Sequence, residues 1–332
     1  MAATKHKAAP VVALRFDHGV LRAIDQTELP WRERELELRT AAEVAEAIIR
    51  LAIRGAPLIG VAAAYGVALE LARDPSPDSL ARACQTLRTA RPTAVNLAAA
   101  VDRVRKAVQN SADPPAAALN EARAIEAEEE AASAAIARHG AEVLTGARRI
   151  LTHCNTGALA APGRGTALAV IAELADRGVL EKAIATESRP LLQGARLTVY
   201  ELSRLGIPHE LIVDSAAPGL IAAGEVDAVI VGCDRVAANG DVANKVGTYG
   251  LALAAHAAGI AFVVAGPTST VDPATPTGAD ITIEERDPEE VRQAAGQRLT
   301  LPGTRTRNPA FDVTPAALVT ALVTERGVVS RT

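Results

Sequence analysis

A cysteine in the middle of the chain stands where a reactive thiol is expected. Cys154 follows the apolar run 150–153 and precedes a turn that contains Gly157. Amide groups of a loop or a helix end at such a place can lower the pKa of a thiol and so favour the thiolate. A buried, unreactive thiol is the alternative. The position favours function for Cys154, whereas a structural role is favoured for Cys84 and Cys233.

A carboxylic acid has a comparable position further along the chain. Asp234 follows the apolar run 229–231, and a carboxyl group at a desolvated strand end can remain protonated and act as a general acid. An ion pair with Arg235 or a helix cap is the alternative interpretation. Residues 238–241 then form a strong turn signal. Asn244 and Lys245 are predicted to open a helix over 245–258, whose amides, carboxamide and ammonium would suit an anion or a hydroxyl group.

Three other segments are candidates for ligand binding. Arg54, Gly55 and Ala56 lie at a predicted junction of two helices, where free N–H groups and a glycine allow close approach of an anion. Arg91 precedes a predicted helix over 93–108, and a solvated arginine beside a cap is the favoured interpretation there. Gln193 opens a predicted helix over 194–205 and could donate to a sugar oxygen or serve as a cap.

The elements that would position these groups alternate between strands and helices after residue 147. Strands are predicted at 150–153, 183–186, 211–213, 228–231 and 262–265, with helices at 166–176, 194–205, 218–223 and 245–258 between them. Short runs that are apolar throughout indicate strands covered on both faces, hence a parallel sheet. Ligands of such sheets bind beyond the carboxyl ends of the strands. Cys154 and Asp234 would then meet at one edge.

The first third of the sequence is predicted to be mostly helical. Thr40 and Glu43 form a capping box, Gly55 ends that helix, and Pro57 begins the next one. A break at 110–115 is followed by a helix over 116–139. The sequence therefore predicts an α/β protein, with a smaller, mainly helical N-terminal domain (1–115) and a Rossmann-like parallel-sheet domain (116–332).

Composition narrows the class of function. The net charge is −4 and aromatic residues make up only 2%, so no basic surface with aromatics points to nucleic acid. The histidines and three cysteines lack metal-ligand spacing, no phosphate-binding glycine motif follows a strand, and no metal or cofactor is expected. The longest apolar stretch, 58–71, is too short to span a membrane. With no signal peptide, a reducing, cytoplasmic location is expected.

Ordered motifs along nearly the whole chain resemble the methylthioribose-1-phosphate isomerase family. That family is shared with ribose-1,5-bisphosphate isomerases and with regulatory subunits of the translation-initiation exchange factor. The motifs are Ile53-Arg54-Gly55-Ala56-Pro57, Arg91-Pro92-Thr93, Leu151-Thr152-His153-Cys154-Asn155, Leu192-Gln193-Gly194-Ala195-Arg196, Asp234 through Lys245, and Asn308 through Pro315.

The resemblance implies an aldose–ketose isomerase of methionine salvage that acts on a sugar phosphate and forms a homodimer. It implies that Cys154 and Asp234 are catalytic, and that the substrate-binding residues are Arg54, Gly55, Ala56, Arg91, Gln193, Asn244 and Lys245. Ser188 stands where threonine is common, and residues 214–217 depart from the usual segment. An isomerase of ribose 1,5-bisphosphate or 5-deoxyribose 1-phosphate, or a non-catalytic regulatory subunit that binds a sugar phosphate or nucleotide, remains the alternative.

Overall fold

A computed structural model describes residues 11–91 and 94–330. These residues form two compact units. One consists of residues 11–134 together with Gly157–Gly165, and the other of residues 135–156 and 166–330. The long helix α5 contributes residues to both units.

The first unit is mainly helical, as predicted, but it begins with a small sheet that the sequence did not suggest. Three short antiparallel strands pair in chain order, with Leu14 opposite Ala23 and Leu21 opposite Leu38. The elements are β1 (Leu14–Asp17), β2 (Val20–Ile24), β3 (Glu35–Leu38), α1 (Ala41–Ile49), α2 (Ala56–Arg73), α3 (Pro77–Ala90), α4 (Val95–Val108) and α5 (Pro114–Val143). These strands were missed because the segments are short and rich in charged residues, so neither apolar runs nor long alternation mark them.

Local sequence signals explain where the first helices begin. The Thr40 side chain accepts from the Glu43 amide and the Glu43 carboxylate accepts from the Thr40 amide, which confirms the predicted capping box of α1. Pro57 occupies the first turn of α2, where a missing N–H costs nothing. By length and composition α2 could cross a membrane, but 78% of its apolar window is buried within the structure. It is therefore the core helix of this unit.

The second unit is built on a seven-stranded sheet. Its strands lie in the order β16 (Gly327–Ser330), β15 (Ala321–Thr324), β10 (Ala261–Ala265), β7 (Ala228–Val231), β4 (Arg149–Thr152), β5 (Lys182–Thr186) and β6 (His209–Ile212), and only the β15–β16 pair is antiparallel. The predicted parallel sheet is thus confirmed. Its elements are β4 (Arg149–Thr152), α6 (Ala167–Asp176), β5 (Lys182–Thr186), α7 (Val199–Leu205), β6 (His209–Ile212), α8 (Ala217–Ala222), β7 (Ala228–Val231), α9 (Thr248–Ala258), β10 (Ala261–Ala265), β15 (Ala321–Thr324) and β16 (Gly327–Ser330).

Both faces of this sheet are covered. Ile150 and Val263 pack with helix α6 residues on one face, while Leu151 and Val264 pack with residues of α8 and α9 on the other. Because neighbouring residues of a strand point to opposite faces, burial on both sides requires strands that are apolar throughout. This explains the non-alternating runs that predicted the parallel sheet.

A smaller sheet adjoins the carboxyl end of β7 in the chain and corrects one prediction. Asn244 and Lys245 do not open a helix: they end strand β9, and helix α9 begins at Thr248. The predicted turn at 238–241 is a tight hairpin, so the chain continues as a paired strand and α9 follows only after Gly247. The smaller elements are β8 (Arg235–Ala237), β9 (Val242–Lys245), β11 (Val271–Asp272), α10 (Glu289–Arg292), β12 (Gln293–Ala294), β13 (Gln297–Arg298) and β14 (Phe311–Thr314).

Candidate functional site

The carboxyl ends of three adjacent strands carry the polar residues that the sequence singled out. Cys154 lies two residues beyond β4, Ser188 two beyond β5, and Asp234 three beyond β7. These strands are neighbours in the order β7-β4-β5 and run parallel. Their carboxyl ends therefore lie along one edge of the sheet, where ligands of this architecture bind.

The backbone of Cys154 is held in an unusual conformation by two side chains. Its φ angle is 63°, in the left-handed region that residues other than glycine rarely adopt. Its N–H donates to Ser188 Oγ at 2.8 Å, and its carbonyl accepts from Thr198 Oγ1 at 2.6 Å. Both hydroxyl-bearing residues are fully buried. Cys154 as a residue is half-buried.

The residue after the cysteine strengthens this arrangement. Asn155 is buried, and its Nδ2 donates to Glu201 Oε1 at 2.7 Å. The same atom lies 3.4 Å from Thr198 Oγ1. Thr198 and Glu201 belong to the helical segment that follows β5, so this segment holds the backbone on the carboxyl side of Cys154.

Asp234 and Asn244 are brought together by the hairpin of β8 and β9. The Asp234 N–H donates to the Ala243 carbonyl at 3.0 Å, and the next pair along the ladder is Arg235 with Ala243. The carboxyl-bearing residue therefore stands beside the end of β9. Arg235 pairs with Asp272, with Nη1 to Oδ2 at 3.6 Å. Asp234 and Asn244 are ten residues apart in the sequence because the segment between them forms the hairpin.

Lys245 places a buried ammonium group among the reactive residues. The residue is only 4% exposed, and burial lowers the pKa of its side chain. Cys154, Glu290 and Asp234 oppose that shift through their charges, whereas Arg286 adds to it. Asn244, also buried, donates from Nδ2 to Thr248 Oγ1 at 2.9 Å.

The amino end of helix α9 does not provide the anion site that the sequence suggested. The Asp312 carboxylate already accepts from the N–H groups of Gly247 at 2.7 Å and Tyr249 at 3.1 Å. Burial raises the pKa of Asp312. Because Asp312 accepts from these two N–H groups, they are not available to an anionic ligand.

Gln193 presents a polar group with unused bonding capacity. It precedes a π-helical turn, Gly194–Thr198, that leads into α7. Its Oε1 is buried and accepts no hydrogen bond from the part of the chain that the structure describes, so a water molecule or a ligand could bind to it. A Cβ atom at Gly194 would lie 1.7 Å from the Thr186 carbonyl oxygen. Glycine at this position therefore brings Gln193 close to the end of β5.

The remaining predicted ligand-binding residues lie in the mainly helical unit. Gly55, with φ of 96°, precedes α2, and a Cβ atom there would lie 2.3 Å from the Ala160 carbonyl oxygen. That oxygen accepts from the Leu58 N–H at 3.1 Å. Arg54 and Ala56 flank this glycine. Arg91 ends α3 instead of opening α4, which begins at Val95, while Pro92 and Thr93 lie outside the described residues.

The other two cysteines have the surroundings of structural thiols. Burial raises the pKa of Cys84. Burial also raises the pKa of Cys233 to about 12, and its Sγ lies 3.2 Å from Thr270 Oγ1. Within residues 11–91 and 94–330, no group of three or more His, Cys, Asp or Glu side chains is arranged to hold a metal ion.

The sequence analysis missed two of the residues that support Cys154. Thr186 and Thr198 are fully buried hydroxyl-bearing residues close to it in space. A signal was present for Thr186, since a polar residue at the end of a buried strand marks the ligand-binding edge of a parallel sheet. Thr198 carried no such signal, because it lies within a helical segment.

Comparisons with known proteins agree along nearly the whole chain. The family model of the "Initiation factor 2 subunit family" matches residues 52–331. The methylthioribose-1-phosphate isomerase of Anaeromyxobacter sp. strain K is 55% identical over 310 residues, which cover 93% of this chain and 91% of the relative.

Two solved structures are also similar. The 5-methylthioribose 1-phosphate isomerase of Pyrococcus horikoshii OT3 has a TM-score of 0.91 at 39% identity, covering 99% of this chain and 95% of the other. The delta subunit of translation initiation factor eIF-2B from A. fulgidus has a TM-score of 0.86 at 38% identity, covering 96% of each chain.

Proposed function

We propose that this chain, which belongs to the initiation factor 2 subunit family, converts 5-methylthioribose 1-phosphate into 5-methylthioribulose 1-phosphate in methionine salvage. The relatives that match at about half identity over most of their length carry the name of this isomerase. The observation that carries the chemistry is that Cys154 and Asp234 follow the carboxyl ends of the adjacent parallel strands β4 and β7, at the edge of the sheet where ligands bind.

The first step of such a reaction is ring opening. The phosphate blocks the anomeric oxygen of the substrate, so no free aldehyde forms spontaneously and the enzyme must break the bond between C1 and the ring oxygen. Asp234 in its acid form is our candidate for the proton donor to that oxygen. The proton passes to the ring oxygen, which becomes a hydroxyl group as the C1–O bond breaks.

Hydrogen then moves from C2 to C1. In one route Cys154 as thiolate removes the C2 proton, the electrons form a C1–C2 double bond, and the thiol returns the proton to C1. In the other, the hydrogen shifts with its electron pair from C2 to C1 beside the thiol. In both, the C2 hydroxyl loses its proton, for which the Asp234 carboxylate is a suitable acceptor, and a ketone results.

The remaining residues are proposed to hold the sugar phosphate. Lys245 is suited to the phosphate because its ammonium is already desolvated, which strengthens its attraction to an anion. Asn244 and Gln193 supply amide groups for sugar oxygens, and the Gln193 Oε1 is free to accept from a hydroxyl. Arg54, Gly55, Ala56 and Arg91 complete the proposed substrate-binding set. Fixed positions of this kind supply much of the rate enhancement of an enzyme.

Several finer features belong to the same proposal. The order β6-β5-β4-β7-β10-β15 of the parallel strands supports a Rossmann-like description of the sheet. We also propose a domain boundary near residue 115, a homodimeric assembly and a cytoplasmic location. Family membership supports these proposals.

The direct test is incubation of the purified protein with methylthioribose 1-phosphate while carbon NMR follows ketose formation. We expect a ketone carbon to appear with no cofactor added, with or without a chelator. Cys154→Ser and Asp234→Asn, checked for folding by circular dichroism, should each lower turnover by at least about a hundredfold, as is usual for general acid–base groups. Near-normal turnover in both variants would contradict the assignment.

The similarity to the initiation-factor subunit from A. fulgidus supports one competing function, a regulatory subunit without activity. Cys154 and Asp234 argue against it, since a binding module needs neither a thiol nor an acid in this arrangement. Failure to turn over methylthioribose, ribose or deoxyribose phosphates, together with tight binding to an initiation factor, would favour the regulatory role.

A further inference from the structure

The imidazole of His153 is buried between two strand ends, and its tautomer follows from its partners. Its Nε2 lies 2.9 Å from the Val246 carbonyl oxygen, which can only accept. Nε2 must therefore carry a hydrogen. The ring is 1% exposed and burial lowers its pKa, so the neutral form prevails and Nδ1 is left as an acceptor.

This tautomer fixes the direction of a chain of hydrogen bonds. Thr186 Oγ1 lies 2.6 Å from Nδ1 and must donate to it. Its oxygen then accepts from Ser188 Oγ at 3.2 Å, the shortest contact of that hydroxyl with an acceptor, since Nδ1 and the Thr186 carbonyl oxygen both lie 3.4 Å from it. Since the Ser188 hydrogen is used in that way, its oxygen accepts from the Cys154 N–H at 2.8 Å. Each member thus donates once towards His153, and the chain ends at the Val246 carbonyl.

We infer that His153 is a positioning residue, which fixes the backbone of Cys154 through Thr186 and Ser188 and ties it to the strand end that carries Lys245. Only the expected effect on turnover rests on the proposed function. Val246 directly follows Lys245, so the chain links the proposed reactive thiol to the proposed phosphate-binding ammonium. A glycine leaves room for the ring: a Cβ atom at Gly247 would lie 3.2 Å from both Cε1 and Nε2.

The charged groups around the ring are Asp214 and Lys245. Asp214 Oδ1 lies 4.0 Å from Nδ1 and favours the charged ring, whereas Lys245 disfavours it. A protonated ring would donate from Nδ1, and Thr186 could then no longer donate to it. The Thr186 hydroxyl would then donate to Ser188, and the direction of the chain would reverse. A neutral ring is therefore a condition of the arrangement.

The first test measures the tautomer without any substrate. Nitrogen NMR of protein labelled in histidine, with His153→Asn used for assignment, should show one neutral ring protonated at Nε2 and unchanged between about pH 8 and pH 6.5, the ordinary histidine pKa. A ring protonated at Nδ1, or one charged at pH 7, would overturn the inference. This result stands apart from the proposed function, because it holds or fails even if no furanose 1-phosphate is turned over.

The second test compares Thr186→Val, which keeps the shape but removes the hydroxyl, with Thr186→Ser, which keeps the hydroxyl. Alkylation of Cys154 by iodoacetamide is followed by mass spectrometry of its peptide across a pH series, alongside kcat and KM. We expect Thr186→Val to lower kcat roughly tenfold or more with little change in KM, and to shift the pH profile of alkylation. The reason is that the buried chain of hydrogen bonds from His153 to Cys154 would lose the Thr186 hydroxyl.

Thr186→Ser should restore both quantities towards the original values. Wild-type alkylation and kcat in Thr186→Val would contradict the inference, as would equal defects in the two variants, because the hydroxyl would then not be the cause. If Thr186→Val does not fold, the tautomer measurement on the unaltered protein still decides.

Discussion

Cys154 and Ser188 have the same φ angle, 63°, and the N–H of the first donates to the hydroxyl of the second at 2.8 Å. Both lie two residues beyond the ends of adjacent strands. Left-handed backbone costs of order 1 kcal/mol or more for residues with a Cβ atom, so other contacts must hold each one. Thr198 does so for Cys154, and Asp214 accepts from the Ser188 N–H at 2.7 Å. Backbone strain of this kind is concentrated at functional sites, where side chains must have a fixed orientation.

Gly194→Ala should destabilise the protein and remove its activity. The added Cβ would lie 1.7 Å from the Thr186 carbonyl oxygen, so the strand end and the π-helical turn would have to move apart. We expect a loss of at least about 3 kcal/mol of unfolding free energy in urea, in the range of severe core changes. Gly219→Ala is the matched control: no atom lies within 4 Å of its Cβ in α8, and stability should stay the same or rise slightly. Equal effects of both substitutions would contradict this account.

Gly55→Ala tests the junction ahead of α2 in the same way. Its Cβ would lie 2.3 Å from the Ala160 carbonyl oxygen, and φ is 96°. Gly19→Ala, at φ of 76° with open space around its Cβ, carries the backbone cost alone, about 1 kcal/mol. We expect the first substitution to cost clearly more than the second in urea unfolding. Equal costs would mean that contact with Ala160 does not require a glycine.

Lys245→Met should weaken substrate binding without weakening the fold. The ammonium is buried and its pKa is lowered, so the methionine variant avoids a desolvation cost of the folded protein. KM should rise by roughly a hundredfold, as expected for the loss of a charged hydrogen bond of about 3 kcal/mol. Unfolding free energy should stay equal or increase. A marked loss of stability would indicate that Lys245 is a structural residue.

The pH dependence of the same pair has a definite sign. In the window just below the ordinary lysine pKa, the unfolded chain binds the proton more readily than the folded protein does, so stability should rise with pH. Wild type should therefore gain stability relative to Lys245→Met as pH approaches 10.5. Parallel stability curves for the two proteins in urea unfolding would contradict the lowered pKa.

His153 should make the protein sensitive to acid. In the folded protein the pKa of His153 lies below 6.5, so the unfolded chain takes up the proton first as pH falls. The contribution of the neutral ring to the unfolding free energy is therefore complete above pH 6.5 and is lost as pH falls towards the folded pKa. The slope is at most about 1.4 kcal/mol per pH unit. His153→Asn should remove this slope, whereas His18→Asn, at an exposed ring, should leave it in place. Urea unfolding at a series of pH values measures both.

Much of the parallel-sheet unit could be predicted from sequence because its strands are short, apolar throughout and separated by clear helices. The predicted strand over 228–231 matches β7 residue for residue. The capping box at Thr40 could also be predicted, since its two residues are only three positions apart in the sequence. Such local patterns can be recognised without knowledge of tertiary contacts.

Two kinds of feature could not be predicted. The strand that ends in Lys245 depends on pairing with β14, more than sixty residues later, and no local pattern reveals that partner. The support of Cys154 depends on hydroxyl groups at Thr186, Ser188 and Thr198, residue types that are common on any surface. Their role follows from burial and distance, which only coordinates provide.

The hairpin of β8 and β9 places the proposed proton donor and the proposed phosphate anchor on one continuous ribbon. Asp234 directly precedes β8 and its N–H donates to the Ala243 carbonyl of β9, two residues before Lys245, so backbone pairing ties the two segments to each other. Its tip is held as well, because the N–H groups of Ala238 and Asn239 donate to the carbonyl oxygens of Thr275 and Pro276 at 2.8 and 3.1 Å. The arm is therefore anchored at both ends, and a change in the segment around residue 275 can reach the proposed proton donor through the backbone of a single hairpin.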